Sequence, residues 1–212
     1  MSNLLSYNLI LKSKVDVFYN LINYEEISEK ATEKVDCNFD DDVCNIITVG
    51  RIEWQKAYDI AVQVAVLLKE KDFKFCWRVI GGGTLREEIE ELVISKGLEN
   101  EFKFLGIKTN PFPYIKKADL YLQTSRHEGY GLAIAETRVL GTIPIATNLN
   151  CVSEQIIDGE TGFLCELDPK KFADKIIEVY NDKELMKKVK SNLSKENFDY
   201  SSELEKIYDL FK

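Results

Sequence analysis

Glu128 and Glu136 stand eight residues apart in the segment Ser125-Arg126-His127-Glu128-Gly129-Tyr130-Gly131-Leu132-Ala133-Ile134-Ala135-Glu136, and their settings differ. Glu128 falls in a glycine-rich turn that follows an apolar run of strand length. Glu136 falls in a helical stretch among Ala133, Ile134, Ala135, Val139 and Leu140, which read as core residues. A carboxylate is rarely set beside a core without a partner. Ribose hydroxyls would serve Glu136, because each donates to a carboxylate, and Glu128 could meet hydroxyls of a second part of the same ligand. The free N–H groups of Gly131 and Leu132 at the helix start suit a phosphate. The pattern also admits a plainer account: a helix-capping Glu128 and a salt-bridged Glu136.

Two more stretches could serve an anionic ligand. Gly50-Arg51 ends the first strong strand and Lys56 follows at the predicted helix start, so a helix N-terminus and two cations would converge on a diphosphate. Two solvated basic residues would look the same on spacing alone. Gly81-Gly82-Gly83 follows the next strand, where glycines allow close backbone approach and positive φ. The sequence there, GGGTLR, is neither the dinucleotide fingerprint nor a Walker A loop. A tight turn and a ligand contact both remain open for it. His127, the only histidine, fits loop packing as well as acid–base work. Trp54, Phe112 and Tyr114 lie near strand ends, where they could line a pocket or simply pack.

The elements that must position these residues form a regular series. Strand-length runs at 43–49, 74–80, 102–105, 118–122, 142–146 and 162–164 alternate with helical periodicity at 55–69, 85–96, 114–117, 132–140 and 151–157. Helices are also predicted at 172–180, 183–193 and 201–211, with Asp168-Pro169 as a start signal. The near-continuous apolar strands predict an α/β fold: a Rossmann-like parallel sheet with helices on both faces. Such sheets bind ligands at the carboxyl ends of their strands, where these glycines lie. Residues 1–42 read as a lead-in packed on one main domain, 43–212. Within it, Lys14 to Tyr19 is a predicted strand and Tyr24 to Lys34 a short helix.

Composition narrows the classes. The chain has 212 residues, 45% hydrophobic, with only 11 Gly and 4 Pro, which excludes disordered and collagen-like readings. With 28 Lys+Arg against 36 Asp+Glu the net charge is -8, a poor match to a nonspecific nucleic-acid binder. Five cysteines without a C-x-x-C pair, and one histidine, argue against structural zinc and fit a reducing cytoplasm. Cys76 and Cys165 read as buried thiols. The N-terminus has no signal-peptide layout, and no apolar run approaches the roughly 20 residues of a transmembrane helix. Peripheral association with the inner face of the membrane stays compatible with this.

The ordered set GRIEWQK (50–56), IGGGTLREEIEEL (80–92), FLGIKTNPFPYIKKADLYLQTSRHEGYGLAIAE (104–136), LGTIPIATN (140–148) and SEQIIDGETGFL (153–164) resembles one family. It is similar to the C-terminal, donor-binding half of retaining GT-B glycosyltransferases, the glycosyl transferases group 1 (GT4), and the E-x7-E from Glu128 to Glu136 is its most specific motif. The resemblance implies that Arg51, Lys56, Gly131 and Leu132 bind the donor diphosphate. It implies further that Gly81, Gly82 and Gly83 flank the nucleotide, Glu128 addresses the transferred sugar and Glu136 holds ribose. It implies metal-independent transfer of a hexose from a nucleoside-diphosphate sugar, UDP by family frequency, with no cofactor. It also implies an N-terminal acceptor domain, with a histidine that His127 does not match, for which residues 1–42 are too few. Ala57 replaces the family's usual glycine, and Asn150-Cys151-Val152-Ser153 replaces a glycine-rich stretch. Two alternatives stay open: a non-catalytic nucleotide-sugar-binding module that needs a partner chain, and a GT-B sugar-nucleotide epimerase.

Overall fold

Six short apolar runs become strands, five of them buried along most of their length and the edge strand Phe102–Gly106 only partly covered. In the computed structural model, which describes residues 22–196 and Tyr208, they are β1 (Cys44–Val49), β2 (Phe75–Ile80), β3 (Phe102–Gly106), β4 (Leu120–Gln123), β5 (Ile143–Thr147) and β6 (Phe163–Cys165). Every pairing is parallel, and the order across the sheet is β3-β2-β1-β4-β5-β6. Successive side chains point to opposite faces. Ile46, Leu120, Leu122, Ile143 and Ile145 therefore enter one core, while Ile47, Tyr121 and Ala146 enter the other.

Helices cover both faces. The first core is closed by α2 (Tyr58–Glu70), α3 (Arg86–Ser95), α7 (Pro169–Asn181) and α8 (Lys183–Leu193). The second is closed by α4 (Phe112–Lys117), α5 (Leu132–Val139) and α6 (Asn150–Ser153). The N-terminal helix α1 (Tyr24–Lys30) packs on α4 and α5, within the compact unit Asn23–Asn197. Its short connection to β1 is pinned from below by Arg78, which is buried, donates to Asn38 O at 2.5 Å and to Asn45 Oδ1 at 2.9 Å, and stacks over Phe39. The predicted strand at 14–19 lies outside the described residues, as does the helix at 201–211 except for Tyr208, which is helical.

Chain order reverses beside β1. The chain builds outward through β2 to β3, then returns to the other side of β1 as β4. The two loops that leave β1 and β4 meet at the carboxyl ends of the strands, at the reversal of strand order where such sheets form a ligand-binding crevice. The predicted ligand residues map to loops or helix starts at this end, except Glu136, which lies a turn into its helix.

Several expectations change in detail. The helix predicted over 55–69 is broken: a single 3₁₀ turn, Trp54–Lys56, precedes α2, and Ala57 between them is left-handed at φ 50, ψ 48. An L-residue there costs roughly 1–2 kcal/mol, so alanine hides a break that glycine would announce. The helix predicted over 151–157 shortens to Asn150–Ser153, because the Thr161 hydroxyl takes the Ile157 amide at 2.9 Å and turns the chain. The helix predicted over 24–34 ends at Lys30. All five cysteines are free; Cys165 is buried as expected, but Cys76 is only half-buried, whereas Cys44 is fully buried. Asp168 caps α7 by accepting from the Lys171 amide at 2.8 Å, with Pro169 at its start as anticipated.

The glycine run after β2 has a structural cause. The backbone beyond β1 stays paired with it: Gly50 N donates to Ile80 O at 3.0 Å and Ile52 N to Gly82 O at 2.9 Å. A Cβ on Gly81 would lie 2.0 Å from Gly50 O, and one on Gly83 would lie 2.2 Å from Ile52 O. Rigid backbone occupies both places, so Gly83→Ala should cost about 1–3 kcal/mol of stability, measured by urea unfolding. Gly129→Ala, whose Cβ meets nothing within 4 Å, should change stability by less than about 1 kcal/mol.

Candidate functional site

The crevice is built by two segments that grip each other. Residues 54–57 follow β1 and residues 124–128 follow β4. The Arg126 guanidinium donates to Trp54 O at 3.0 Å. The amides of Arg126 and His127 donate to Gln55 O at 2.7 and 3.4 Å. The Thr124 hydroxyl reaches Lys56 O at 3.3 Å and Ala57 O at 3.2 Å. Four consecutive carbonyls of one loop are thus met by donors of the other.

The consequence is the meeting of two predicted site residues. Lys56 Nζ lies 2.6 Å from Glu128 Oε1, and the Ser125 hydroxyl donates to the same oxygen at 2.5 Å. The Glu128 side chain is 7% exposed and that of Lys56 23%, so the pair is largely shielded and attracts more strongly than a surface pair. Tyr58, buried, donates to Gly50 O at 3.1 Å; burial first, then the Glu128 charge, raises its pKa and keeps the phenol protonated. Tyr121, buried beneath, is raised by burial first and then by Tyr58, Glu128 and Glu136. One phenol therefore senses both carboxylates of the E-x7-E motif.

Gly131 caps α5 in the left-handed region, at φ 89. Among the described residues the amides of Gly131 and Leu132 donate to no protein acceptor. Leu132 is exposed and Gly131 buried, and the positive end of the helix lies behind both donors. The turn before them is held from within the fold. Gln155 Nε2 donates to Tyr130 O and, at 3.2 Å, to Cys151 O, and Cys151 Sγ contacts Glu128 O at 3.6 Å. Buried Gln123 Nε2 and Gln155 Oε1 have no partner among the described residues.

Glu136 lies four residues beyond Leu132, about 6 Å along the helix axis. Its side chain is half-buried and makes no hydrogen bond or ion pair with the described residues, and burial raises its pKa. Arg51 is exposed at the start of the loop after β1, and Gly81–Gly83 run beside it through the pairing of Gly50 and Ile52. Trp54, 57% exposed, stacks on Arg126 and His127, with ring centroids of the two aromatics 5.7 Å apart. It borders a hollow of about 450 Å³ between α2 and α3. Phe112 and Tyr114 do not join it. They pack into the core beneath α4, with the Tyr114 hydroxyl 2.5 Å from Asp36, because α4 turns its aromatic face onto the sheet.

Sequence reasoning missed Thr124, Ser125, Gln155 and Asp59, which hold the two loops and the turn before α5. Ser125 lies inside the quoted motif and could have been singled out; Gln155 carried no local signal. Among the described residues no three His, Cys, Asp or Glu side chains gather as a metal site requires, and no helix is long and apolar enough to cross a membrane.

The raised pKa of Glu136 sets the sign of a pH effect. The folded protein binds its proton more tightly than the unfolded chain, so its contribution to stability falls as pH rises from the ordinary carboxylate range through the raised value. Glu136→Gln should remove that fall, and urea unfolding of both proteins across this range measures it.

Known proteins are similar to this chain in sequence and fold. The family model for glycosyl transferases group 1 matches residues 29–196. An uncharacterized glycosyltransferase from Methanocaldococcus jannaschii is 31% identical over 185 residues, covering 86% of this chain and 48% of that protein. The chain spans under half the length of the first curated relatives it matches. The fold is similar to that of Staphylococcus aureus TarM, solved as a mutant with Fondaparinux, alpha-GlcNAc-glycerol and UDP (TM-score 0.83, 23% identity, 99% of this chain and 42% of that one). It is similar also to the C-terminal domain of a group 1 glycosyl transferase from Francisella tularensis (TM-score 0.63, 26% identity, 84% of this chain and 94% of that one). The sheet order, the E-x7-E segment and these matches agree: the chain belongs to the glycosyl transferases group 1 family, with the Rossmann-like fold of a GT-B half.

Proposed function

We propose that this chain is the donor-binding half of a retaining glycosyltransferase that moves a hexose from a UDP-sugar to an acceptor hydroxyl. One observation carries the reading: Lys56, Glu128 and the unpaired amides of Gly131 and Leu132 share the crevice between β1 and β4. Cationic, donor-only and acceptor-only groups side by side match a ligand that is part diphosphate and part polyhydroxyl.

In this reading the diphosphate lies across the start of α5. Arg51, Lys56 and the Gly131 and Leu132 amides bind its oxygens, and Glu136 accepts from ribose hydroxyls. Glu128 accepts from sugar hydroxyls. Gly81–Gly83 keep the loop beside the nucleotide low enough for it to approach. During transfer the bond from the anomeric carbon to the diphosphate oxygen breaks, and the leaving oxygen takes the electron pair. The acceptor oxygen bonds to the same face of that carbon and gives its proton to the leaving phosphate. Stabilising that leaving group is the work of Lys56, Arg51 and the helix end, without a divalent ion. Support for retention comes from TarM, whose crystal holds UDP together with alpha-GlcNAc-glycerol, an alpha-linked sugar.

The acceptor would bind a second domain beyond this chain, which fits the chain's share of its relatives' length. Water exclusion and acceptor placement need that domain, so the chain alone should bind donor weakly and turn over poorly. The setting we assign is polysaccharide or glycolipid assembly at the cytoplasmic face of the membrane. Calorimetry with UDP, GDP, ADP and their sugar forms tests the site. UDP should give the largest heat, and Glu136→Ala should cost about 1.5–3 kcal/mol by removing a charged hydrogen-bond acceptor from ribose. Equal, negligible heats from all three nucleotides would overturn the reading.

A further inference from the structure

Lys56 is held on both sides by one residue that the diphosphate reading does not use. Arg126 NH1 donates to Trp54 O at 3.0 Å and to Asp59 Oδ1 at 2.8 Å, and NH2 donates to Asp59 Oδ2 at 2.5 Å. Its guanidinium also lies 5.1 Å from the centre of the Trp54 ring. Trp54 is two residues before Lys56, and Asp59, in the first turn of α2, is three residues after it. The fork spans the 3₁₀ turn and the left-handed Ala57.

That placement matters because Ala57 occupies a backbone region that alanine disfavours. Left to itself, the chain would relax there and let the short turn join α2. Lys56 would then swing away from Glu128. The bidentate contact to Asp59 holds the far side of the bend and the Trp54 carbonyl holds the near side, so the bend cannot straighten while both persist. Asp59 is a fitting anchor: the hydrogen bonds from Arg126 hold its carboxyl below the usual range, so it stays ionised at neutral pH. A lysine at 126 would carry the charge but lacks the planar fork that grips both oxygens and a carbonyl together.

We propose that Arg126 is a positioning residue for the donor diphosphate: by clamping Trp54 and Asp59 it sets the place of Lys56, without touching the ligand. This rests on the reading that Lys56 binds the diphosphate. The test is a double-mutant cycle in UDP affinity, measured by calorimetry on the full chain, with Arg126→Met, Lys56→Ala and the double variant. Arg126→Met should weaken UDP about 3- to 30-fold, and in the Lys56→Ala background the same change should cost less than about 2-fold. Equal affinity of Arg126→Met and the parent overturns the proposal. So does an equal loss with and without Lys56, which would make Arg126 a ligand contact or a general stabiliser.

If Arg126→Met does not fold, Asp59→Asn replaces it in the cycle, since it keeps Arg126 and its stack on Trp54. The reversed pair Arg126→Asp with Asp59→Arg adds a rescue. It should recover part of the affinity lost in Arg126→Asp alone, and no recovery counts against the clamp. The Lys56→Ala arm separates the two levels. If Lys56→Ala leaves UDP affinity unchanged, or if no nucleotide binds, the underlying reading fails and the proposal with it. If Lys56→Ala weakens binding while Arg126→Met does not, only the proposal fails.

Discussion

Four carbonyl oxygens in a row, from Trp54 to Ala57, each find a donor on the loop from Thr124 to His127. Everything at the crevice depends on that docking. It brings the β1 loop against the β4 loop at the place where strand order reverses. Backbone acceptors in a turn need donors: Ala57 N serves Trp54 O and the amides of Ile60 and Ala61 serve Ala57 O from the chain's own turn and helix, while the β4 loop serves all four carbonyls. The two loops complete each other. Lys56 and Glu128, 72 residues apart in sequence, become partners at 2.6 Å as a result.

The docking has local costs that the sequence had to accommodate. Ala57 takes a left-handed conformation, and no side chain fits at Gly81 or Gly83, where backbone passes within contact distance. Gly131 takes positive φ so that the chain can turn into α5 with its first amides facing outward. These positions lie around one crevice, while the central strands β1, β4 and β5 beneath are almost wholly buried. A rigid sheet carrying irregular loops at one end is the arrangement that lets strain persist where a ligand must be met. The Lys56–Glu128 pair adds a second property. A cation and an anion hold each other in place, so neither is an uncompensated buried charge, and a ligand presenting both phosphate and hydroxyls can exchange with each.

Much of this was legible in the residues. Alternating apolar runs and helical periodicity gave the strand sequence and the parallel sheet, because strands buried on both faces read as continuous Val, Ile and Leu. Glycines after strands marked the carboxyl end of the sheet, where the candidate site residues gather. Glu136 declared itself as a carboxylate among core residues, and the structure finds it half-buried with a raised pKa. Other features were not legible. The break at Ala57 is invisible because alanine is also the best helix former. The partnership of Lys56 with Glu128 depends on strand order, which local pattern does not encode. For Phe112 and Tyr114 the sequence left a pocket lining and simple packing both open, and they pack on the core, since an aromatic near a strand end carries no mark of which way its helix will face. The clasp of Arg126 on Asp59 joins two loops and leaves no trace in either.

The central claim is that a nucleoside diphosphate lies across the start of α5, between the loops after β1 and β4. Backbone amide NMR of the chain titrated with UDP tests it most directly. The account predicts the largest shift changes at Gly131 and Leu132 and along Arg51 to Lys56, with the β3 edge around Phe104 unmoved. Changes centred on the hollow beside Ile94, Phe102 and Phe104, with Gly131 and Leu132 unaffected, would contradict it.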